Sequence, residues 1–568
     1  MVSTKKVPTP RWRIYAISLL LLGAAFLLFG MLMHLLFIPM IVNESIRENT
    51  QLVEGSRMME SWMHPEYKVL FKLYVRSVKN PDEIMEGAIP EVNESGPYTF
   101  NKITTNKVIS HKDGIVKFKR YNNFIFNETE SCQTCILGNR IWIPNMIYQK
   151  FVEAASTTGM RAAATTLLSQ TAFLEVEVGE FLFEGYKDPF LDKVCEIPFM
   201  NFVCDSILDV PDRIGLFTQE NNTANDVYEI SDGVENPEDL GKVITFNGKK
   251  SVDYSWWSSA NARMIRGTEG MLFPPFLKKT DKIYVFIKEL CRSVWLIFQK
   301  EVEYEGVPAY RFLLPPEVFD PTIPENDGYC NPTDKKFFAS QNETDDCFPA
   351  GLLEVSKCQR SQAPIMISLP NFNFASDEVR QSVKGLNSTD PERDVIFVDI
   401  EPKGRNHATL IGPFWPPATP TWLTLTALST SRPCIMELTP FELKQRLGAV
   451  LRAHRRSQVN IEMWKGKDII FPVNLNKTRS SLIPVVVIHE DAEIDANTLS
   501  VIQNQLIRAE WWAHSITTAL AGAGLAMMVI AALYAVLKSD LLAAVKSDSV
   551  APLPAYEPRG SPNGKAVY

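Results

Sequence analysis

The chain has 568 residues, of which 45% are hydrophobic and 22% are charged, and its formal net charge is −8. This length is enough for more than one domain. The acidic balance, with a pI near 5.6, argues against nucleic acid as a partner, because binding to a polyanion requires a basic surface.

Two apolar runs lie near the ends of the chain, at residues 14–38 and 513–537. Neither contains Asp, Glu, Lys or Arg, and a helix of this length measures roughly 37 Å, enough to cross a hydrocarbon layer of about 30 Å. A cleaved signal peptide is the alternative for the first run, but the run is longer than the apolar region of such peptides. The sequence therefore predicts two transmembrane helices.

The flanks of the two runs set the expected orientation. Basic residues crowd the N-terminal side of the first run, so we expect a cytosolic N-terminal tail at 1–13, an ectodomain at 39–512 and a cytosolic C-terminal tail at 538–568. Asn-x-Ser/Thr signals for glycosylation occur only in the expected ectodomain. They lie at Asn43, Asn93, Asn127, Asn221, Asn342, Asn387 and Asn476.

All nine cysteines also lie in the expected ectodomain. In an oxidising compartment they indicate disulfides rather than metal ligands. Cys132 and Cys135 could form a redox or zinc pair, but no second such motif accompanies them. Because they precede a helical segment that Cys195 and Cys204 follow, we expect bridges between these two groups; local pairing of Cys195 with Cys204 is the alternative.

The ectodomain sequence mixes two kinds of pattern. Residues 46–62 are predicted to form a helix that leaves the membrane. Residues 144–170 are predicted to form apical helices, with Ile147, Phe151 and Ala155 on one apolar face. Short alternating stretches predict half-buried strands. These stretches lie at 115–120, 302–304, 308–312 and 395–400.

The sequence lacks the motifs of common catalytic sites. No nucleophile elbow, zinc-protease motif, phosphate-binding loop or dinucleotide fingerprint occurs. We therefore expect no enzyme activity, no cofactor and no metal. The acidic run 489–495 and the basic run 452–456 are interpreted as solvated charged faces, although the acidic run could bind calcium.

Several sequence blocks, in this order, resemble the class B scavenger receptor family, which includes fatty-acid translocase, lysosomal integral membrane protein and sensory neuron membrane proteins. The blocks include GPYTF (96–100), GYKDPF (185–190), IRGT (265–268), GVPAYRF (306–312) and DIEP (399–402). The resemblance implies a two-span membrane protein whose large mixed α+β ectodomain has an irregular antiparallel β core, an apical helical bundle and an internal apolar tunnel. It also implies disulfides between Cys291 and Cys358 and between Cys330 and Cys347.

The family resemblance implies a cell-surface receptor that binds lipids, lipoproteins or anionic particles and passes lipid to the membrane through the tunnel. An endolysosomal receptor for cargo or lipid export is the alternative, so the expected location is the plasma membrane, with endosome or lysosome as the second choice. In place of a basic pair of the fatty-acid receptor, this chain has Leu168 and Gln170. With Arg161, these are the candidate ligand-entry residues, and neutral or weakly charged lipids are expected over free fatty acids.

Two further segments stand out in comparison with the family. Residues 404–447 are extra and rich in proline, and they contain the ninth cysteine, Cys434; they predict either a disordered loop or translated intron. The tail sequence LPAY (553–556) resembles a ligand of WW domains. A WW-domain protein is therefore a candidate partner. A second copy of the chain is a separate candidate partner.

Two other protein classes compete with this interpretation. A ligand-gated cation channel also has two spans, but its second span needs polar residues that line a pore. Here Ser515, Ala519 and Ala523, with Gly522 and Ala526, form small faces that favour close helix packing instead. An ecto-enzyme is disfavoured by the missing catalytic motifs.

Overall fold

The computed structural model describes residues 11–156, 165, 168, 171–188, 191, 213–218, 220–342, 346–359, 362–401 and 449–548. The chain divides into two compact units. One unit contains residues 1–44 and 507–568, and the other contains residues 45–506.

The described helices are short in the second unit and long in the first. They are α1 (Arg11–Leu32), α2 (Ile38–Asn49), α3 (Arg57–Met63), α4 (Pro81–Met85), α5 (Met146–Ser156), α6 (Ala260–Arg263), α7 (Asp377–Arg380), α8 (Ala496–Val501) and α9 (Arg508–Asp548). A π-helical turn, Met33–Phe37, joins α1 to α2. Two helical stretches, Arg11–Asn49 and Trp511–Ser539, are long and apolar enough to cross a membrane, which confirms the two predicted spans.

Helices α1 and α9 pack against each other through small residues. A Cβ on Gly23 would lie 2.7 Å from the carbonyl oxygen of Gly524, and one on Gly30 would lie 2.8 Å from the backbone nitrogen of Ala521. The helices therefore meet where side chains are absent or small. The predicted small face of α9 is wrong in detail, because Ala519 and Ala523 are exposed.

The predicted helix at 46–62 is also wrong as a single element. Helix α2 ends at Asn49, and α3 begins at Arg57. Between them Gly55 has a φ of +75°, which a helix does not allow. The hydroxyl of Ser56 then accepts a hydrogen bond from the Met59 backbone N–H at 3.1 Å and caps the new helix.

The described strands form one large antiparallel sheet and one small one. They are β1 (Lys68–Val78), β2 (Val92–Lys112), β3 (Ile115–Phe126), β4 (Arg140–Pro144), β5 (Phe173–Glu177), β6 (Val227–Ser231), β7 (Val243–Phe246), β8 (Ile283–Ile287), β9 (Arg292–Tyr304), β10 (Val307–Leu313), β11 (Leu352–Glu354), β12 (Ile365–Ser368), β13 (Phe397–Ile400), β14 (Val450–Met463) and β15 (Ser481–Glu493). All four predicted strand stretches overlap strands, and β4 pairs only with β5.

The main path of the large sheet has the order β7-β6-β3-β2-β1-β15-β14-β13-β10-β9-β8. Its two end strands are joined by a short segment that lies between them. The Val243 backbone N–H donates to the Gly267 carbonyl oxygen at 2.9 Å, and the Thr268 N–H donates to the Tyr284 carbonyl oxygen at 3.1 Å. The sheet is therefore closed into a barrel, and we call the interior on its concave face the lumen.

Helix α5, in the segment predicted to be apical, packs with the predicted face inward. Ile147, Phe151 and Ala155 are all buried in the main hydrophobic core. The described part of the helical segment also includes Leu168, which is fully buried. The rest of the predicted apical helices, with Arg161 and Gln170, lies outside the described residues.

Barrel closure depends on one glycine. A Cβ on Gly267 would lie 1.7 Å from the Tyr284 carbonyl oxygen, and the φ of Gly267 is +79°. We expect Gly267→Ala to prevent closure, so that little folded protein leaves the endoplasmic reticulum, as measured by mature glycosylation and surface labelling. Gly248→Ala is the matched control, because Gly248 has a φ of +75° but no atom within 4 Å of its Cβ position. It should cost only about 1–2 kcal/mol of backbone strain. Equal maturation of both variants would contradict this role.

The ends of the predicted insertion meet in the sheet. The Glu401 backbone N–H donates to the Ala449 carbonyl oxygen at 3.1 Å, and β13 pairs with β14. Removing residues 404–447 would leave a connection short enough for a hairpin. We expect the deletion variant to mature and unfold thermally like the full chain. Aggregation or retention of the shortened chain would show that the segment is needed for folding.

Candidate functional site

One face of five neighbouring strands carries both charged and aromatic side chains. Directly opposite residues in antiparallel strands share a face. Arg455 lies opposite Glu490, Glu490 opposite Phe71, and Phe71 opposite Phe100. Lys102, two residues beyond Phe100, lies opposite Phe124. These side chains therefore lie on the same face of β14, β15, β1, β2 and β3.

This face is the concave face of the barrel. Phe118 of β3 stacks on Tyr228 of β6 with ring centroids 5.4 Å apart, and Tyr228 contacts Phe246 of β7 at 5.0 Å. Phe246 then meets Phe286 of β8 at 5.1 Å, although β7 and β8 are the opposite ends of the strand path. These rings are buried and belong to the hydrophobic core inside the barrel.

Four charged residues pair on the concave face, and we call them the ion-pair cluster. Arg455 lies 3.1 Å from Glu289, in the turn between β8 and β9, and 3.5 Å from Glu490. Lys102 lies 2.6 Å from Glu490. On the strand path, β13 and β10 lie between β14, which carries Arg455, and the β8–β9 turn, which carries Glu289. The contact between these two side chains therefore crosses the concave side of the barrel.

The ion-pair cluster is surrounded by protein and yet accessible. Burial raises the pKa of Glu289, but the charges of Arg455 and Lys288 outweigh burial and hold that pKa at about 2. Burial likewise raises the pKa of Glu490, and Lys102 and Arg455 lower it below its ordinary value. The Glu289 side chain is nevertheless 49% accessible and that of Arg455 37% accessible.

Six phenylalanines adjoin the ion-pair cluster, and we call them the phenylalanine cluster. They are Phe71, Phe100, Phe124, Phe126, Phe183 and Phe217. The Phe183 ring lies 5.1 Å from that of Phe124 and 5.4 Å from that of Phe217. Four of the six rings are only partly buried. The Lys102 ammonium lies 5.9 Å from the centre of the Phe124 ring, so the polar and apolar clusters meet there.

A second charged group, the acid–base triad, connects α5 to β14. Lys335 contacts Glu153 of α5 and lies 3.3 Å from Glu462 of β14. Glu462 is only 2% exposed, and its Oε1 atom has no hydrogen-bond partner among the described residues. Burial raises the pKa of Glu462 to about 7, although Lys335 lowers it.

The acidic and basic runs interpreted as solvated faces are each other's partners, so that interpretation is wrong. They lie opposite each other in β14 and β15, with Arg452 opposite Glu493 and His454 opposite Asp491. Arg455 and Glu490 contribute to the lumen. Their opposite charges were visible in the sequence, but only the strand register brings them together. Among the described residues, no cluster of three His, Cys, Asp or Glu side chains is arranged to hold a metal ion.

The disulfides follow the family resemblance in part. Cys291 is bonded to Cys358, and Cys330 to Cys347, which are the two implied pairs. Cys132 is bonded to Cys135, so the expected bridges from these residues to the later group are wrong. Their spacing, with Cα atoms 5.0 Å apart, allows direct pairing. Cys195 and Cys204 lie outside the described residues.

The remaining predicted site residues are scattered. None of the seven sequon asparagines is buried, and four are exposed: Asn93, Asn342, Asn387 and Asn476. Their glycosylation stays a prediction. Leu168 is 0% exposed, so in this structure it contributes to the core and not to an open entrance. The tail motif at 553–556 and the insertion at 404–447 lie outside the described residues.

The sequence profile of the CD36 family matches residues 21–404 and 438–535. Lysosome membrane protein 2 of Rattus norvegicus is 28% identical over 467 residues, 82% of this chain and 83% of the relative. Scavenger receptor class B member 1 of Mus musculus is 29% identical over 399 residues, 69% of this chain and 72% of the relative. The family profile leaves residues 405–437 unmatched, and these lie within the predicted insertion.

The acid–base triad predicts that protonation of Glu462 at acid pH contributes to the stability of the ectodomain. Because the pKa of Glu462 rises from 4.5 to about 7 on folding, its stabilisation is complete below about pH 4.5 and is lost as pH rises through 7. The difference amounts to roughly 3 kcal/mol. The pKa values of His454 and His489, which burial lowers to about 4, act in the opposite direction, so the test compares variants. We expect the unfolding temperature at pH 5 minus that at pH 8 to be smaller in detergent-solubilised Glu462→Gln than in the wild type.

Glu91→Gln is the control for this experiment. Glu91 pairs with Lys79 at 3.0 Å on the surface, with 42% of its side chain exposed, so its neutralisation should leave the pH dependence unchanged. An unchanged pH dependence in Glu462→Gln would rule out the triad as its source.

Proposed function

The chain belongs to the CD36 family and is a lipid-handling membrane receptor, and on that premise we propose that it binds lipids or lipoprotein particles and conducts lipid through the lumen of its barrel to the membrane. The observation that carries this proposal is the closed barrel with accessible side chains on its concave face. The expected class is a receptor and not an enzyme.

Barrel size supports a conduit. A barrel of about eight strands has an interior that side chains can fill, whereas larger barrels enclose cavities or channels. The path here has eleven strands and a further closing segment at Gly267-Thr268. The partly accessible rings of the phenylalanine cluster offer an apolar wall to a lipid chain.

The energetics also favour a conduit. Exposing a 16-carbon chain to water costs on the order of 12 kcal/mol, at about 0.8 kcal/mol per CH₂ group. A path inside the ectodomain avoids most of this cost. Because the ectodomain is joined to a span at each end, it remains attached to the bilayer that would receive the lipid. The proposed topology has both chain termini in the cytosol.

The cell surface and the endolysosome are the two candidate sites of action. The relatives include a scavenger receptor and a lysosome membrane protein. We propose the surface as the main site. The lysosomal branch of the family has an acidic-dileucine signal in its tail, and the Asp540-Leu541-Leu542 sequence of this chain has a different spacing. The endolysosome is the second candidate, and the acid-stabilised triad favours it. A WW-domain partner at 553–556, a homo-oligomer and entry near the apical segment remain parts of this proposal.

A bulky side chain in the lumen should block lipid passage. Ser457 is partly exposed and shares the concave face with Arg455. We expect Ser457→Trp to reduce cellular uptake of a fluorescent sterol ester severalfold, with surface expression and particle binding unchanged. Ile103→Trp is the control, because Ile103 is 52% exposed and lies on the opposite face from Lys102. Uptake that is unaffected by Ser457→Trp would show that lipid takes another route.

A further inference from the structure

Two histidines meet between the two membrane-spanning helices. His34 lies in the π-helical turn Met33–Phe37, and His514 lies in α9. Their Nδ1 atoms are 3.2 Å apart and their ring centroids are 4.5 Å apart, although the two residues are 480 positions apart in the chain. Ionisable residues are rare in membrane spans because they are costly there, and those that occur usually have a function.

Two threonine hydroxyls surround the same imidazole nitrogen. The Nδ1 atom of His34 lies 3.3 Å from Oγ1 of Thr517 and 3.5 Å from Oγ1 of Thr518. Both hydroxyls donate to the carbonyl oxygen of His514, at 3.0 and 2.8 Å, so both oxygens offer lone pairs to His34. A single proton on Nδ1 forms only one full hydrogen bond, whereas a metal ion in its place can use several lone pairs at once.

The spacing and the kind of ligand atoms fit a transition metal. A zinc ion has Zn–N bonds of about 2.0–2.1 Å, which in tetrahedral geometry places two ligand nitrogens about 3.3 Å apart. The two Nδ1 atoms are 3.2 Å apart. Imidazole nitrogen suits Zn²⁺, Cu²⁺ and Ni²⁺, whereas Ca²⁺ and Mg²⁺ prefer oxygen ligands such as carboxylates. The four atoms include no carboxylate, so the set favours the transition metals.

The backbone around His34 departs from a regular α-helix. The Ile38 backbone N–H donates to the Met33 carbonyl oxygen, five residues earlier. Pro39 follows, and it has no N–H for the ordinary α-helical bond. Wide turns of this kind are rare and are frequent at functional sites. The histidine therefore lies where the local backbone geometry is specialised.

The histidine pair lies near the ends of both spans. His34 is four residues from the end of the first apolar run, about 6 Å along a helix. His514 is the second residue of the second run, directly after Trp511 and Trp512, which are 60% and 59% exposed. Tryptophan is enriched where membranes meet water. In the proposed topology, an ion from the ectodomain side can therefore reach the pair.

We propose that the imidazoles of His34 and His514 bind a zinc ion between the two spans, with the hydroxyl oxygens of Thr517 and Thr518 beside it. The ion binds to Nδ1 of each ring, and each ring keeps its single proton on Nε2, so both imidazoles stay neutral. The bound ion holds the two helices together at this level. The site is separate from the lumen and does not depend on conduction of lipid.

The test measures Zn²⁺ binding to the full chain in detergent micelles, without a polyhistidine tag, by competition with a chromophoric chelator. The wild type should bind one zinc ion with micromolar affinity, and excess Ca²⁺ should not displace it. Loss of an outer-shell partner alone weakens metal binding about 10–100-fold, so His34→Gln and His514→Gln should each weaken it by at least about tenfold. Glutamine can still form a hydrogen bond across the helices, which separates zinc binding from simple polar contact.

His64→Gln is the matched control, because His64 is an exposed histidine at the end of α3, and its zinc affinity should equal that of the wild type. Absence of a micromolar zinc site in the wild type overturns the inference, and this result needs no variant to fold. Full zinc affinity in both His34→Gln and His514→Gln also overturns it, because the ion would then bind elsewhere. Displacement of zinc by Ca²⁺, or an equal loss in His64→Gln, contradicts the proposed ligands.

Discussion

The closing of the sheet at Gly267-Thr268 is the constraint on which the rest of the ectodomain depends. If this segment did not pair with β7 and β8, both would be edge strands with unpaired backbone groups, which invite aggregation. The concave face would then be an open surface that exposes charged and aromatic side chains together. Closure turns that surface into a lumen. A side chain at Gly267 cannot be accommodated, because the Tyr284 carbonyl occupies its place.

A lumen lined by paired charges needs a functional explanation. Buried ion pairs contribute little net stability, and apolar residues of similar size often replace them without loss. The contact of Arg455 with Glu289 across the concave side therefore does not follow from folding alone. Its accessibility, and the phenylalanine cluster beside it, fit a role in ligand binding better.

Some of this structure was predictable from the sequence and some was not. The spans at 14–38 and 513–537 followed from length and missing charge, and the block at 265–268 was recognised by resemblance. Its physical role was hidden, because closure joins residues far apart in the chain. The charged runs at 452–456 and 489–495 were misinterpreted because each was considered alone, whereas antiparallel register pairs them. Cys132 was assigned the wrong partner because sequence spacing alone does not decide between direct pairing with Cys135 and a longer bridge.

The ion-pair cluster and the acid–base triad differ in how their charges respond to pH. The pKa of Glu289 is about 2, that of Glu490 lies below its ordinary value, and that of Arg455 lies above its ordinary value because of Glu289 and Glu490, although burial opposes this. These three groups therefore keep their charges from endolysosomal to extracellular pH. Glu462, which connects β14 to α5 through Lys335, changes charge within that range. The ion-pair cluster should thus carry the same charges in both candidate locations, whereas the contact of α5 with β14 should carry a different charge in each.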